Sequence, residues 1–181
     1  MSSGTVQASG GATATAFARQ GAAVVVSGRR EDEGKALAAE LRELGARAEF
    51  IRADVSSEDD VRALVDGVVT TFGRLDVAAN NAGFTGARGR LDTQTVEAYD
   101  AVFDTDVRSV IFSLKHELRV MTEQAFGSII NLSSTFGDRG GPGAALYSAG
   151  KHADVITFPA SGNARFLTGR TVAVNGGETA A

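Results

Sequence analysis

The chain has 181 residues, 43% hydrophobic and 22% charged, with a net charge of −4; this suits a single folded domain over residues 1–181 and argues against disorder. It has no cysteine and two histidines, which excludes disulfides, thiolate metal sites, cysteine nucleophiles and histidine-rich metal centres. The acidic balance excludes nucleic-acid binding by bulk electrostatics, no apolar run reaches the ~18 residues of a membrane helix, and residues 1–11 lack the basic and apolar stretches of a signal peptide, so the expected location is the cytoplasm.

In chain order, Ala22-Ala23-Val24-Val25-Val26-Ser27 is a β-branched run ended by Gly28, the pattern of a strand buried on both faces. Residues 31–44 follow with Leu37, Leu41 and Leu44 on one helical stripe and Gly45 as the stop. Residues 46–53 read as a second strand. Ser57, with Asp60 three residues on, opens a helix in which Val61, Leu64, Val65, Val68, Val69 and Phe72 keep helical spacing. A third strand covers 75–79 and a glycine-rich loop 83–89. A long helix over 95–124 turns Tyr99, Val102, Phe103, Val107, Val110, Leu114, Leu118 and Met121 inward. Residues 128–132 form a fourth strand, 144–157 are helix-compatible with Pro159 as the stop, and 171–174 are a last strand before Gly176-Gly177. Strands alternating with helices predict an α/β fold with a parallel, doubly wound sheet. Its ligands should sit outside the carboxyl ends of the strands.

The polar residues that follow strands carry the candidate chemistry. Tyr147 and Lys151 stand at i and i+4 on one helix face. An ammonium there favours the phenolate and makes the pair usable for proton transfer to or from an alcohol oxygen. Ser133-Ser134 follows the fourth strand, where a hydroxyl can meet a substrate carbonyl, and Asn80-Asn81-Ala82-Gly83 follows the third. Each has an ordinary reading beside this one: a solvated tyrosine–lysine pair, a cap serine, an asparagine–glycine turn.

Together, in this order on an α/β pattern, they resemble the short-chain dehydrogenase/reductase family, and most of all its sugar- or ketone-acting members, including those labelled glucose 1-dehydrogenase. The stretch Phe166-Leu167-Thr168-Gly169 through Gly177 looks like that family's C-terminal strand and turn, and residues 12–22 look like its first helix. The resemblance implies a Rossmann-like three-layer α/β/α domain. It implies hydride transfer between NAD(P)(H) and a secondary alcohol or ketone, without a metal. Tyr147 would be the general acid/base, Lys151 would hold the nicotinamide ribose, and Ser134 would orient the carbonyl. Gly4, Ala8 and Gly10 fall on the glycine fingerprint, where backbone meets a pyrophosphate at a helix N-terminus. Asp54 would meet the adenine, and Asn80, Ala82 and Gly83 would border the cofactor. Gly28-Arg29-Arg30 stands where NAD-preferring members carry a carboxylate, so Arg29 favours NADP(H). The family's dimer surface maps to the long helix around Val110 and Leu114, which implies a homo-oligomer.

The chain departs from the family in three ways. The family's first and sixth strands have no counterpart, so the sheet is incomplete and its order is expected as 2-1-3-4-5, with or without a gap beside the first strand. The segment after Lys151-His152-Ala153 resumes at a much later part of the pattern. Asp106 replaces the family's asparagine: either it lies within several ångströms of Lys151 and offsets its charge, or it is a solvated helix residue remote from the site. The alternative to an enzyme is a non-catalytic remnant of the family, a nucleotide-binding or subunit-interaction module or the product of a truncated reading frame.

Overall fold

The computed structural model describes residues 4–157. The β-branched run forms β1 (Val24–Gly28), which pairs in parallel with β2 (Ala48–Arg52), Val24 opposite Ala48 and Gly28 opposite Arg52. Residues 4–19 ahead of β1 form α1 (Gly4–Arg19). Between the strands, α2 (Glu31–Glu43) carries Glu31, Asp32 and Glu33 in its first turn, the charge a helix N-terminus favours. Past its end, Gly45 takes a φ of 88°, which strains any residue with a Cβ. Ala38 and Leu41 are fully buried, but Leu44 is 51% exposed, because it is the C-cap and the stripe has already turned off the sheet.

The next helix, α3 (Glu58–Phe72), begins at Ser57, whose hydroxyl accepts the Asp60 N–H, and ends at Gly73 in the left-handed conformation. Val61 and Val65 bury its apolar face. Ser57→Ala is expected to cost about 1 kcal/mol of stability, read as a lower urea midpoint with an unchanged slope.

A second parallel pair joins β3 (Val77–Asn80) to β4 (Ser128–Asn131), with Asn80 opposite Asn131. The long helix expected over 95–124 is three helical pieces: α4 (Val96–Phe103), a π-helical turn (Asp104–Arg108) and α5 (Ser109–Glu123). Such turns recur at functional sites. Val102, Val110, Leu114 and Met121 are buried as expected, whereas Tyr99 is 45% exposed and stacks on Phe103, ring centroids 4.2 Å apart. A short α6 (Thr135–Arg139) and then α7 (Ala145–Thr157) complete the described fold and pack on each other.

Of the expected strand order, the described residues form the neighbours β2–β1 and β3–β4 as two separate parallel pairs, and no ladder joins β1 to β3 among them. With only one neighbouring strand among the described residues, Val24, Val25 and Val26 are half-buried rather than buried on both faces, and Val77 and Ile130 are exposed. The last expected strand, at 171–174, lies outside the described residues. No described helix is long and apolar enough to cross a membrane.

Candidate active site

The carboxyl ends of β3 and β4 and the first turns of α7 converge on one place. Lys151 is only 3% exposed. Its Nζ donates to the carbonyl of Leu132, just past β4, at 3.1 Å. Its own backbone carbonyl accepts from the Ser133 hydroxyl at 2.7 Å, so β4 grips this lysine at both ends. Gly137 on α6 lets the two helices close: a Cβ there would stand 2.8 Å from the Lys151 backbone.

Asp106 reaches the same place from the π turn and is completely buried. Its Oδ1 accepts the Phe84 N–H at 2.7 Å. Gly83 sits between the two charges, because a Cβ added to it would lie 3.4 Å from both Asp106 Oδ1 and Lys151 Nζ. Gly150, on α7, is likewise small because Asp106 passes beside it, 3.2 Å from where its Cβ would be. Asp106 and Lys151 therefore approach the same point beside Gly83, the first of the two alternatives.

Tyr147 lies one turn before Lys151 on α7, half-buried, with its ring edge-to-face on Phe136 at 6.2 Å. Ser134 caps α6, its hydroxyl oxygen accepting the Phe136 N–H at 3.2 Å. This is the ordinary cap reading, yet it uses only the oxygen's lone pair and leaves the O–H as a donor. Asn80 is the last residue of β3 rather than part of a turn: its side-chain amide donates to Asn131 Oδ1 at 2.9 Å and to Glu117 Oε2 at 3.1 Å. Ala82, half-buried, and Gly83 follow it.

Glu117 is a residue the sequence reading missed. It is 6% exposed on α5, and burial pushes its carboxyl up to about 7, against the lowering effect of the Asn80 hydrogen bond. The available signal was its spacing, since it falls seven residues after Val110 on the buried stripe.

The residues expected at the other end of a dinucleotide are arranged differently. Gly4, Ala8 and Gly10 lie inside α1, not in a loop before it. The stretch is rich in alanine and threonine with no proline, and a helix tolerates its glycines at ~1 kcal/mol each. Gly10 packs on the Asn81 amide, whose nitrogen would be 3.1 Å from an added Cβ. Arg29 is exposed and faces Asp54 at 3.8 Å. The Asp54 carboxyl is held below its ordinary value, first by the Ser56 hydroxyl and then by that residue's N–H and Arg29. Val110 and Leu114 are buried within the chain, because α5 turns them toward α3 and the β3–β4 pair. Ile111, between them in sequence, is 49% exposed.

Residues 3–177 match the family model described as short chain dehydrogenase. The chain is 40% identical over 144 residues to a 3beta-hydroxysteroid dehydrogenase of Mediterraneibacter gnavus, covering 80% of this chain and 52% of that protein. It is 48% identical over 139 residues to an A-factor type gamma-butyrolactone 1'-reductase of Streptomyces virginiae, covering 76% and 54%. Its fold is similar to that of NAD+-bound xylitol dehydrogenase, with a TM-score of 0.79 at 32% identity over 81% of this chain and 56% of that one. It is also similar to a variant actinorhodin polyketide ketoreductase with NADPH, with a TM-score of 0.75 at 36% identity over 78% and 55%. The chain therefore belongs to the short-chain dehydrogenase family of oxidoreductases and has its Rossmann-like α/β fold, in incomplete form. It spans about half the length of the relatives it matches.

Proposed function

We propose that the chain carries the hydride-transfer chemistry of its family, between NAD(P)(H) and a secondary alcohol or ketone. The observation that supports this most is the convergence of Lys151, Asp106 and Gly83 one helical turn from Tyr147. The residues present fit the nicotinamide-ribose end of the cofactor. Lys151 would hold the ribose hydroxyls, and Gly83 keeps the backbone beside Lys151 free of a side chain. They do not fit the pyrophosphate end in the same way, since the N–H groups of α1 beyond its first turn serve its own ladder. When bound, the cofactor supplies or accepts the hydride.

The chain's own residues then handle the proton. Tyr147 Oη takes the proton of an alcohol, or gives one to the carbonyl oxygen. Lys151 stands one turn from the phenol, and the Ser134 O–H, with its oxygen already engaged by Phe136, donates to the carbonyl oxygen. Arg29 and the absence of a carboxylate at Gly28 favour NADP(H), although Asp54 shares Arg29's charge. A homo-oligomer through the long helix would use its Ile111 side.

The test is titration of the purified chain with NADPH and NADH by fluorescence, followed by cofactor oxidation with a ketone panel. Absence of binding at about millimolar cofactor would favour the second reading, a non-catalytic remnant. The separation of β1 from β3 and the helical fingerprint support that second reading.

If the chain is active, Asp106→Asn is expected to raise alcohol oxidation and move its pH optimum downward. The aspartate's charge beside Lys151 partly cancels the ammonium's field at the phenol. Asparagine keeps the shape and the acceptor for Phe84. An unchanged or upward-shifted pH–rate profile would show that Asp106 does not act on Tyr147.

A further inference from the structure

We infer that Arg88 is a docking point for a carboxylate on the substrate, so that the proposed reaction is aimed at keto acids or hydroxy acids with an apolar body. This rests on the proposed function and narrows it. Arg88 lies in the loop that leaves Gly83 and is exposed. Its guanidinium stands over the face of Phe136, 5.7 Å from the ring centroid. Phe136 in turn meets the Tyr147 ring edge-on at 6.2 Å. Cation, aromatic spacer and proton-transfer phenol thus form one contiguous row.

The row is built rather than incidental. The Arg88 loop is tied to the segment before α7 by the Gly89 N–H bonding the Gly143 carbonyl at 2.9 Å. Gly143 has a φ of 68°, a conformation that strains any residue with a Cβ, so the turn that makes this bond favours glycine. A guanidinium over an aromatic face is drawn to it electrostatically, and its N–H fork can still bond an oxyanion bidentately.

That edge meets no carboxylate among the described residues. Two residues on, Arg90 is bound to Asp92 through both Nε and a terminal nitrogen. Arg88 has no carboxylate partner among the described residues. Asp138, exposed on α6 two residues past Phe136, does not pair with it. An arginine placed beside the candidate proton donor and left unneutralised favours a substrate that brings its own negative charge. The exposed Phe84 at the start of the same loop suits an apolar chain between carboxylate and carbonyl.

The experiment compares a series of straight-chain keto acids, levulinate and its longer homologues, each beside its methyl ester. Reduction is followed with NADPH for the wild-type chain, Arg88→Ala and Arg88→Lys. Arg88→Ala is expected to lower kcat/KM about tenfold or more on the acid of best length and to leave the ester within about twofold, as loss of one charge-assisted bond predicts. Arg88→Lys keeps the charge without the fork and should fall between. Added salt should weaken the acid alone. Equal losses on acid and ester, or no loss on either, would overturn the inference. Direct titration of the keto acids by NMR separates this inference from the activity it rests on. Weaker binding to Arg88→Ala than to the wild-type chain supports the anion site even without turnover, and equal binding rejects it.

Discussion

Tyr147→Phe is expected to lower ketone reduction by about 10²–10⁴-fold, the range for losing a positioned general acid/base, while leaving folding intact. The substitution removes one oxygen from a half-buried ring whose packing on Phe136 is edge-to-face, so the ring stays in place. NADPH affinity should change by no more than a few-fold. Lys151 offers a less clean test. Its ammonium is buried, bonds the Leu132 carbonyl and stands by the buried Asp106 carboxylate. Lys151→Ala would strand both groups, at a cost of about 3–5 kcal/mol for an uncompensated buried charge. Paired measurements of turnover, NADPH binding and melting temperature check the prediction. A Tyr147→Phe chain that keeps wild-type turnover would remove the tyrosine from the chemistry.

The second large effect concerns stability. Glu117 titrates near 4.5 when unfolded and about 7 in the fold. Between those values the folded state holds a proton that the unfolded chain has released. Stability from this group is therefore full below about pH 4.5, falls as pH rises, and is lost above about pH 7. At about 1.4 kcal/mol per unit, the loss is about 3 kcal/mol. Glu117→Gln keeps the shape and an acceptor for the Asn80 amide but never ionises. The variant should exceed the wild-type chain by about 3 kcal/mol at pH ~8 and match it near pH ~4. Asp54, whose folded carboxyl lies below its ordinary value, works in the opposite sense, since its contribution is lost as pH falls through the folded value. Urea unfolding at both pH values checks the prediction, and parallel pH profiles would refute it.

The elements that were legible in the sequence are those whose signals are local. The Val24–Val26 run, the Val61–Phe72 period and the Ser57 cap each depend on neighbours a few residues away, and each formed as read, apart from the shallower burial of β1. At the site, the closeness of Asp106 to Lys151 beside Gly83 was legible as one of two alternatives. The π turn that delivers Asp106 was not, because a single extra residue in a turn leaves the apolar period nearly unchanged. Glu117 was hidden because a carboxylate on an apolar stripe reads as a boundary, and only the Asn80 amide opposite gives it a partner. Arg88 lies in a loop with no period to read. The division of the sheet depends on which strands find neighbours across long stretches of chain, and the family pattern alone could not decide it.

That division has a mechanical consequence. Among the described residues no ladder joins β1 to β3, and the links between the two strand pairs run through helices. The heaviest bridge is α3. It approaches β2 at Gly67, where a Cβ would touch Ile51 at 3.0 Å, and it packs along α5, with Lys115 bonded to Glu58 and Arg119 to Asp66 across the seam. A lighter bridge is the seat of Gly10 on Asn81. Strands would transmit a displacement stiffly, but helices can slide by small amounts without breaking their own hydrogen bonds. The half bearing Arg29 and Asp54 and the half bearing Tyr147 and Lys151 are therefore joined as two plates on a sliding seam. Their relative setting depends on the packing of α3 rather than on a shared sheet.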